Sequence, residues 1–190
     1  MKLTPEEKEL LLQLARGAIR YGARHGVPPE VRLDELPPAL RQPGATFVTL
    51  EENGKLRGCI GSLEPRRPLA EDVVHNAFAA AFYDPRFPPV QEEEVDRLKI
   101  KISLLSPLEP IECASEEELL SKLRPGIDGL LIEAGPNRGT FLPEVWKQLP
   151  DPKAFLRQLK IKAGLLPDEW PEGIRVWRYT TSTIEEEASR

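Results

Sequence analysis

Apolar residues recur at helical spacing in two long stretches of the chain. The first, residues 4–26, opens with Thr4 and has Glu7 three residues later, a pair that satisfies the exposed amides at the start of a helix. Its apolar side chains share one face: Leu11, Leu14, Ala18 and Tyr21. The second, residues 68–83, keeps the same spacing and stops before the Asp-Pro pair at 84–85, because proline disfavours a helical residue before it. Both stretches predict helices.

Alternating apolar and polar residues predict strands elsewhere in the chain. Two such segments, residues 45–50 and 56–63, flank an Asn-Gly pair at 53–54. Asn-Gly tolerates the positive φ angles of a tight turn, so these segments predict a β-hairpin. Residues 98–105 alternate strictly and predict a half-buried strand, and residues 174–181 predict a last strand.

Three further segments complete the predicted fold. Residues 115–124 and 151–163 begin with Ser and Asp caps and predict helices, and residues 129–142 predict a second hairpin around a Gly-Pro-Asn turn. The order of hairpin then helix thus occurs at 45–83 and again at 129–163, which suggests an internal duplication. Strands joined by hairpins, with helices between the groups, predict an α+β fold on a mainly antiparallel sheet.

Length and charge limit the classes of protein to which the chain can belong. Its 190 residues, 40% of them hydrophobic, suffice for one domain over residues 1–190, with or without a smaller lobe. The net charge of -5 comes from interleaved acids and bases, so we expect no binding of nucleic acid. Segments apolar enough for a membrane helix or a signal peptide are missing, and we expect a cytoplasmic protein that contacts no membrane. The acidic runs at 92–94 and 185–190 predict solvated surface or tail.

Metal and cofactor sites are not predicted. In a reducing cytoplasm Cys59 and Cys113 are expected to be free thiols. His25 and His75 are far apart and belong to no metal-binding spacing, and the glycine patterns of nucleotide-binding loops are missing. We therefore expect neither a metal nor a cofactor. The 20 prolines and the single methionine are typical of proteins from thermophiles.

The segment KLRGCIGSL, residues 55–63, holds the main candidate for chemistry. Strand alternation places Arg57, Cys59 and Gly61 on one face. A neighbouring arginine would lower the pKa of the Cys59 thiol, and Gly61 would leave room for a ligand, so Cys59 is a candidate nucleophile. The opposing interpretation is architectural, because free cysteine often packs as a small hydrophobe and a glycine such as Gly58 allows close packing. Both interpretations stay open.

The candidate binding residues lie beside this thiol and at two other places in the chain: Arg57, Gly58, Gly61, Ser62, Arg86 and Glu144. For Arg86 the favoured interpretation is a salt bridge to Asp84 in a proline-rich turn, and the alternative is an anion clamp at the mouth of a cleft. For Glu144 the favoured interpretation is a position at the start of a helix, where acidic residues are stabilising, and the alternative is a catalytic role.

Five segments together resemble the AMMECR family, whose microbial members form component A of the AmmeMemoRadiSam group: LRGCIGSL, DPRFPPV, SLL, RGTFLPEVW and LRQLKIKAGL. The resemblance covers nearly the whole chain. It implies an α+β unit with two related β-rich halves around one barrel-like sheet. It also implies an association with a Memo-type protein and a radical S-adenosylmethionine protein, but it supplies no settled activity.

Two hypotheses from different classes follow. The first is an enzyme, or an enzyme component, that uses Cys59 on a small molecule linked to those partners. The second is a non-catalytic binding or adaptor module whose motif residues line a rigid groove. The state of the thiol separates the two, because a reactive Cys59 favours the enzyme and an inert, buried Cys59 favours the binding module.

Overall fold

The computed structural model describes residues 2–186 of the chain. The helices and strands follow one another in this order: α1 (Pro5–His25), α2 (Pro38–Arg41), β1 (Ala45–Glu52), β2 (Lys55–Gly61), α3 (Leu69–Phe82), β3 (Lys99–Leu105), β4 (Glu109–Pro110), α4 (Glu116–Lys122), β5 (Gly129–Ala134), β6 (Asn137–Phe141), α5 (Pro152–Lys162), β7 (Arg175–Tyr179) and β8 (Thr181–Glu185). Short 3-10 helices lie at Leu33–Glu35, Glu92–Arg97 and Pro143–Lys147. The chain divides into two compact units, the first comprising the chain up to Leu105 together with the segment from Ser182, and the second comprising Ser106–Thr181.

The first unit packs helices α1 and α3 onto one four-stranded sheet. Its strand order is β2-β1-β3-β8, and α3 contacts α1, β1 and β2. Helix α1 begins as predicted, because the Thr4 side chain accepts from the Glu7 amide and the Glu7 carboxylate accepts from the Thr4 amide. It ends at Gly26, which has a φ of 76°. The core between helices and sheet is aliphatic and includes Leu11, Ile19, Val73, Val48, Leu50, Ile100 and Ile102.

The second unit packs helices α4 and α5 with a second four-stranded sheet, in the order β4-β7-β5-β6. Ser115 and Asp151 cap the two helices, as the sequence predicts. The core is centred on Trp146 and Phe155, whose rings stack with centroids 3.8 Å apart. The indole N–H of Trp146 donates to the Asp128 carbonyl at 2.7 Å, so the buried ring leaves no polar atom unpaired.

The predicted α+β class is confirmed, whereas the expected barrel-like sheet is wrong. Within residues 2–186 the strands form two open sheets and no closed barrel. The physical reason is that each sheet ends in edge strands, β2 and β8 in one and β4 and β6 in the other. The topology does not show an internal duplication, which stays a prediction, as does the assignment of residues 1–190 to one domain. The described helices include none long and apolar enough to cross a membrane.

The acidic run at 185–190 is not simply a solvated tail. Glu185 belongs to β8, and the Glu186 carboxylate pairs with the Arg16 guanidinium at 2.7 Å and accepts the Ile100 amide, also at 2.7 Å. Partners from α1 and β3 thus compensate the charge of Glu186, and no local sequence signal reveals them. Residues 187–190 lie outside the described part of the chain.

Candidate functional site

The predicted hairpin places Cys59 near the middle of β2, opposite Thr49 of β1. Asn53 and Gly54 form the turn with φ angles of 54° and 76°, as the Asn-Gly pair predicts. The thiol is half-buried, and its Sγ lies 3.3 Å from the Thr49 hydroxyl oxygen. Either atom can donate in this contact, because a hydroxyl and a thiol each carry a hydrogen and lone pairs.

The backbone of Cys59 is held from the open edge of the sheet by Asp84, which follows α3. The Cys59 N–H donates to one Asp84 carboxylate oxygen at 3.0 Å. The Arg86 side chain donates two hydrogen bonds to the same carboxylate, at 3.0 and 2.8 Å. The backbone amide of Arg86 donates a third bond to this carboxylate at 3.1 Å. These bonds, the Arg86 side chain first among them, lower the pKa of Asp84 to about 2. Asp84 is therefore a fully ionised anchor between the thiol segment and the loop after α3.

Arg86 brings a positive charge to the neighbourhood of the thiol. Its side chain is 56% exposed although it grips the buried Asp84. The hydrogen bond to Asp84 is the main cause of a raised Arg86 pKa, and the charge of Cys59 adds to it. The salt bridge that the sequence favours is thus present, and the role of Arg86 as an anion clamp stays a prediction.

The Arg57 side chain is hydrogen-bonded to residues other than Cys59. Its guanidinium donates to the Pro88 carbonyl at 2.8 Å and to the Glu94 carboxylate at 3.1 Å, and its side chain is only 12% exposed. The pairing of β1 with β2 shifts at this point, so that Arg57 forms a bulge between two regular pairs. A bulge interrupts strict alternation, which was the basis for placing Arg57 beside the thiol. Its predicted effect on Cys59 stays untested.

The two glycines beside Cys59 are explained by close packing. A Cβ on Gly58 would lie 2.1 Å from the Ala80 carbonyl oxygen of α3, so only glycine allows the helix this close to β2. A Cβ on Gly61 would meet the Phe47 ring at 2.2 Å. The expectation that Gly61 leaves room for a ligand is therefore wrong, because the ring of its cross-strand partner fills that space.

Ser62 belongs to a buried polar network that sequence reasoning missed. Its hydroxyl donates to Asp72 at 2.9 Å and accepts from Asn76 at 3.1 Å. Asp72 also accepts from the Thr46 amide and hydroxyl, at 2.8 and 2.7 Å, and from Arg67 at 2.7 Å. The available sequence signal was an Asp and an Asn four residues apart, on the face of helix α3 that otherwise carries apolar residues. The network joins β1, α3 and the end of β2.

The remaining candidates lie in the second unit. Glu144 stands in the first turn of the 3-10 helix at Pro143–Lys147, as the favoured interpretation predicts. Cys113 is a free, half-buried thiol, and burial, followed by the nearby Glu118 charge, raises its pKa. Among the described residues, no group of three or more His, Cys, Asp or Glu side chains is arranged to hold a metal ion.

Removing the Asp84 charge is expected to weaken the dependence of stability on acid. The folded pKa of about 2 lies below the ordinary value of 3.8, so the contribution of Asp84 is complete above about pH 5 and is lost as pH falls toward 2. We expect Asp84→Asn to remove roughly 2 kcal/mol of the change in unfolding free energy across this range. Urea titrations from pH 2 to 7 would measure it. If the unfolding free energies of the two proteins changed equally with pH, the lowered pKa of Asp84 would be contradicted.

Comparison with known proteins gives consistent matches along the chain. A family model described as AMMECR1 matches residues 12–184. A protein of Methanothermobacter thermautotrophicus is 42% identical over 189 residues, which cover 97% of this chain and 97% of that protein. The crystal structure of the uncharacterized protein PH0010 from Pyrococcus horikoshii is similar with a TM-score of 0.90 and 39% identity, covering 98% of this chain and 95% of that one. These relatives come from thermophilic archaea and carry no named activity.

Proposed function

The chain belongs to the AMMECR1 family, and we propose that it carries a thiol-dependent site in which Cys59 is the nucleophile. One observation carries the proposal: the Cys59 sulfur lies 3.3 Å from the Thr49 hydroxyl, in a segment whose amide is bonded to the carboxylate that Arg86 binds. The reactive form of cysteine is the thiolate, which a nearby cation and a hydrogen-bond donor both favour.

Asp84 works against the thiolate in this arrangement, because it brings a negative charge to the same place. Its carboxylate is bonded to the Cys59 amide, and it shares two side-chain bonds with Arg86. The pair is neutral overall, so its effect on the thiol depends on which charge lies nearer the sulfur. Removing the negative charge of Asp84 in one variant and the positive charge of Arg86 in another would measure the effect of each charge on the thiol.

The cellular setting of the site is proposed from the family resemblance. We place it in an enzyme or enzyme component that works with a Memo-type protein and a radical S-adenosylmethionine protein. Its substrate would be a small molecule supplied or consumed by those partners. Co-purification of the three proteins from cells would support this setting. Purification of the chain without either of the other two proteins would count against it.

The rate of alkylation by iodoacetamide tests the thiolate at Cys59. We expect Arg86→Gln to move the midpoint of the rate-against-pH curve up by about 0.5–1 pH unit, and Asp84→Asn to move it down. The sulfur attacks the iodine-bearing carbon, iodide leaves with the bonding electrons, and the thiol proton goes to solvent. Mass spectrometry of the peptides containing Cys59 and Cys113 would follow each thiol separately.

The two variants are expected to shift the rate-against-pH curve in opposite directions, which separates this effect from damage to the fold. Unfolding would expose the thiol and speed alkylation in both variants, whereas the proposal requires a slower reaction at neutral pH for Arg86→Gln. Arg57→Ala is the matched control, because it removes one positive charge whose guanidinium is held by Pro88 and Glu94. Equal shifts for Arg57→Ala and Arg86→Gln would contradict the assignment to Arg86.

A second candidate function is a non-catalytic binding or adaptor module. It is favoured by the packing roles of Gly58 and Gly61 and by the ion pair that holds Arg57, which account for much of the motif without chemistry. It predicts a Cys59 that reacts no faster than Cys113 at neutral pH. It also predicts that Cys59→Ser destabilises the fold, because a buried hydroxyl replaces a thiol.

A further inference from the structure

A groove runs between helix α1 and the loop that joins α1 to α2. Its volume is about 490 Å³, within the range of about 300–1,000 Å³ that is typical of small-molecule sites. The α1 residues that line it extend from Leu10 to Tyr21, which gives a length of roughly 16 Å at about 1.5 Å per residue. Cys59 and the residues around it do not line this groove, so it is a separate feature from the candidate thiol site.

The walls of the groove carry apolar surface. Leu10 and Leu14 of α1, with Val31 and Leu36 of the loop, pack against the first core but are only partly buried. The groove is lined by the surface of these side chains that the core leaves uncovered. Prolines at 28–29 restrict the backbone of the loop. The loop wall is therefore held in place before a ligand arrives, which lowers the entropic cost of binding.

Gly17 lies in the α1 wall of the groove, and the packing of the chain does not explain it. A glycine inside a helix costs roughly 0.5–1 kcal/mol relative to alanine. The other glycine inside α1, Gly22, is required by packing, because a Cβ there would lie 2.5 Å from the Phe82 ring. A Cβ on Gly17 would meet nothing within 4 Å in the described part of the chain. The missing side chain keeps the groove open, which suits a ligand that approaches the helix backbone.

The charged and aromatic residues at the rim favour a cation. The charges among the lining residues are those of Glu30, Arg32 and Glu35, and Arg32 pairs with Glu35 at 3.6 Å. The Glu30 carboxylate is therefore the charge that the other lining residues do not compensate. Tyr21 also lines the groove, is 39% exposed, and stacks on His25 with ring centroids 4.0 Å apart. An aromatic ring together with a carboxylate is a combination that attracts an alkylammonium group.

We propose that this groove binds a small elongated molecule that has an apolar chain and a positively charged group, such as an alkylammonium. The chain lies along α1 over Gly17, where binding removes apolar surface from water. The charged group lies at the rim, near the Glu30 carboxylate and the Tyr21 ring. Because Glu30 repels a carboxylate in the same position, the groove discriminates between chains that differ in the sign of their charge.

Decyltrimethylammonium and decanoate test this proposal, because they have hydrocarbon chains of similar length and opposite charges. Isothermal titration calorimetry with the full chain, below the micelle concentration of each compound, would measure the two dissociation constants. We expect the cation to bind at least about fivefold more tightly than the anion. Equal affinities, or tighter binding of decanoate, would overturn the proposal.

Gly17→Leu tests where the apolar chain binds. The new side chain would project into the groove, so we expect the affinity for decyltrimethylammonium to fall about tenfold or more, while the free energy of unfolding stays unchanged or rises. Gly17→Ala adds less bulk and should give a smaller loss of affinity. Glu6→Leu places the same leucine at an exposed position of α1 outside the groove and should leave the affinity unchanged. Full affinity in Gly17→Leu would show that the probe binds elsewhere.

Glu30→Gln tests where the charged group binds. We expect the affinity for decyltrimethylammonium to fall about threefold and the affinity for decanoate to rise. Asp34→Asn removes the same charge from a nearby exposed position that does not line the groove and should change each affinity by less than about twofold. Equal changes in the two variants would overturn the assignment to Glu30, because they would report only the net charge of the chain.

Discussion

Replacing Gly58 with alanine is expected to lower the free energy of unfolding by about 3 kcal/mol or more. The added Cβ would lie 2.1 Å from the Ala80 carbonyl oxygen, and a backbone atom in a packed helix cannot rotate away as a side chain can. Helix α3 would have to move off β2, opening the contact between them. Guanidinium unfolding of both proteins would measure the loss.

Gly17→Ala is the matched control for this experiment. Gly17 lies in helix α1, and a Cβ there would meet nothing within 4 Å. The same substitution should therefore raise the unfolding free energy by about 0.5–1 kcal/mol, because alanine loses less backbone entropy in a helix than glycine does. Similar effects at the two positions would show that α3 does not approach β2 as closely as described.

Replacing Asp72 with alanine is expected to cost about 3–5 kcal/mol, the largest effect of a polar substitution in the first unit. The buried carboxylate accepts from Thr46, Ser62, Arg67 and Asn76. Without it, several donors lose their acceptor, and Arg67 loses the carboxylate that compensates its charge. Urea or thermal unfolding, followed by circular dichroism, would measure the change.

Two comparisons isolate the cause of that loss. Asp72→Asn keeps the shape and can accept some of the bonds but loses the charge, so it should destabilise less than Asp72→Ala. Asp96→Ala removes a carboxylate from an exposed ion pair with Arg20 and should leave the unfolding midpoint almost unchanged, because such pairs contribute little. An Asp72→Ala variant as stable as Asp96→Ala would contradict a structural role for the network.

The parts of the fold that sequence reasoning predicts are those fixed by local chemistry. The turn at Asn53-Gly54 needs positive φ angles, which this pair adopts readily, so the hairpin that carries Cys59 could be placed from the sequence. The starts of α1, α4 and α5 follow from Thr4, Ser115 and Asp151, whose side chains accept amides of their own first turns.

The parts that sequence reasoning misses depend on contacts between distant segments. The bulge at Arg57 has no local signature, because arginine fits a regular strand equally well. Gly61 offers the same sequence signal whether its open side meets a ligand or, as here, the Phe47 ring. The strand β8 carries mostly polar residues, and its place beside β3 is decided by partners such as Arg16 that lie far away in the chain.

The candidate site also combines features that the local sequence predicts with features that depend on contacts between distant segments. Cys59 and Arg86 could be selected from the sequence, since rare thiols and loop arginines are obvious candidates for chemistry. The positions of Thr49 beside the Cys59 sulfur and of Asp84 at the Cys59 amide require the pairing of β1 with β2 and the path of the loop after α3. Register between strands is a tertiary property that alternation alone does not determine.

The division of the first unit between two distant segments has a consequence for synthesis on the ribosome. Strand β3 ends at Leu105, and β8, its neighbour in the sheet, emerges only after Ser106–Thr181 has been made. At about 5–20 residues per second, the edge of β3 stays uncovered for roughly 4–15 s. Its alternate lysines, Lys99 and Lys101, discourage the nascent strand from pairing with another chain during that delay. The last strand to be translated thus closes the sheet whose first strands were made long before.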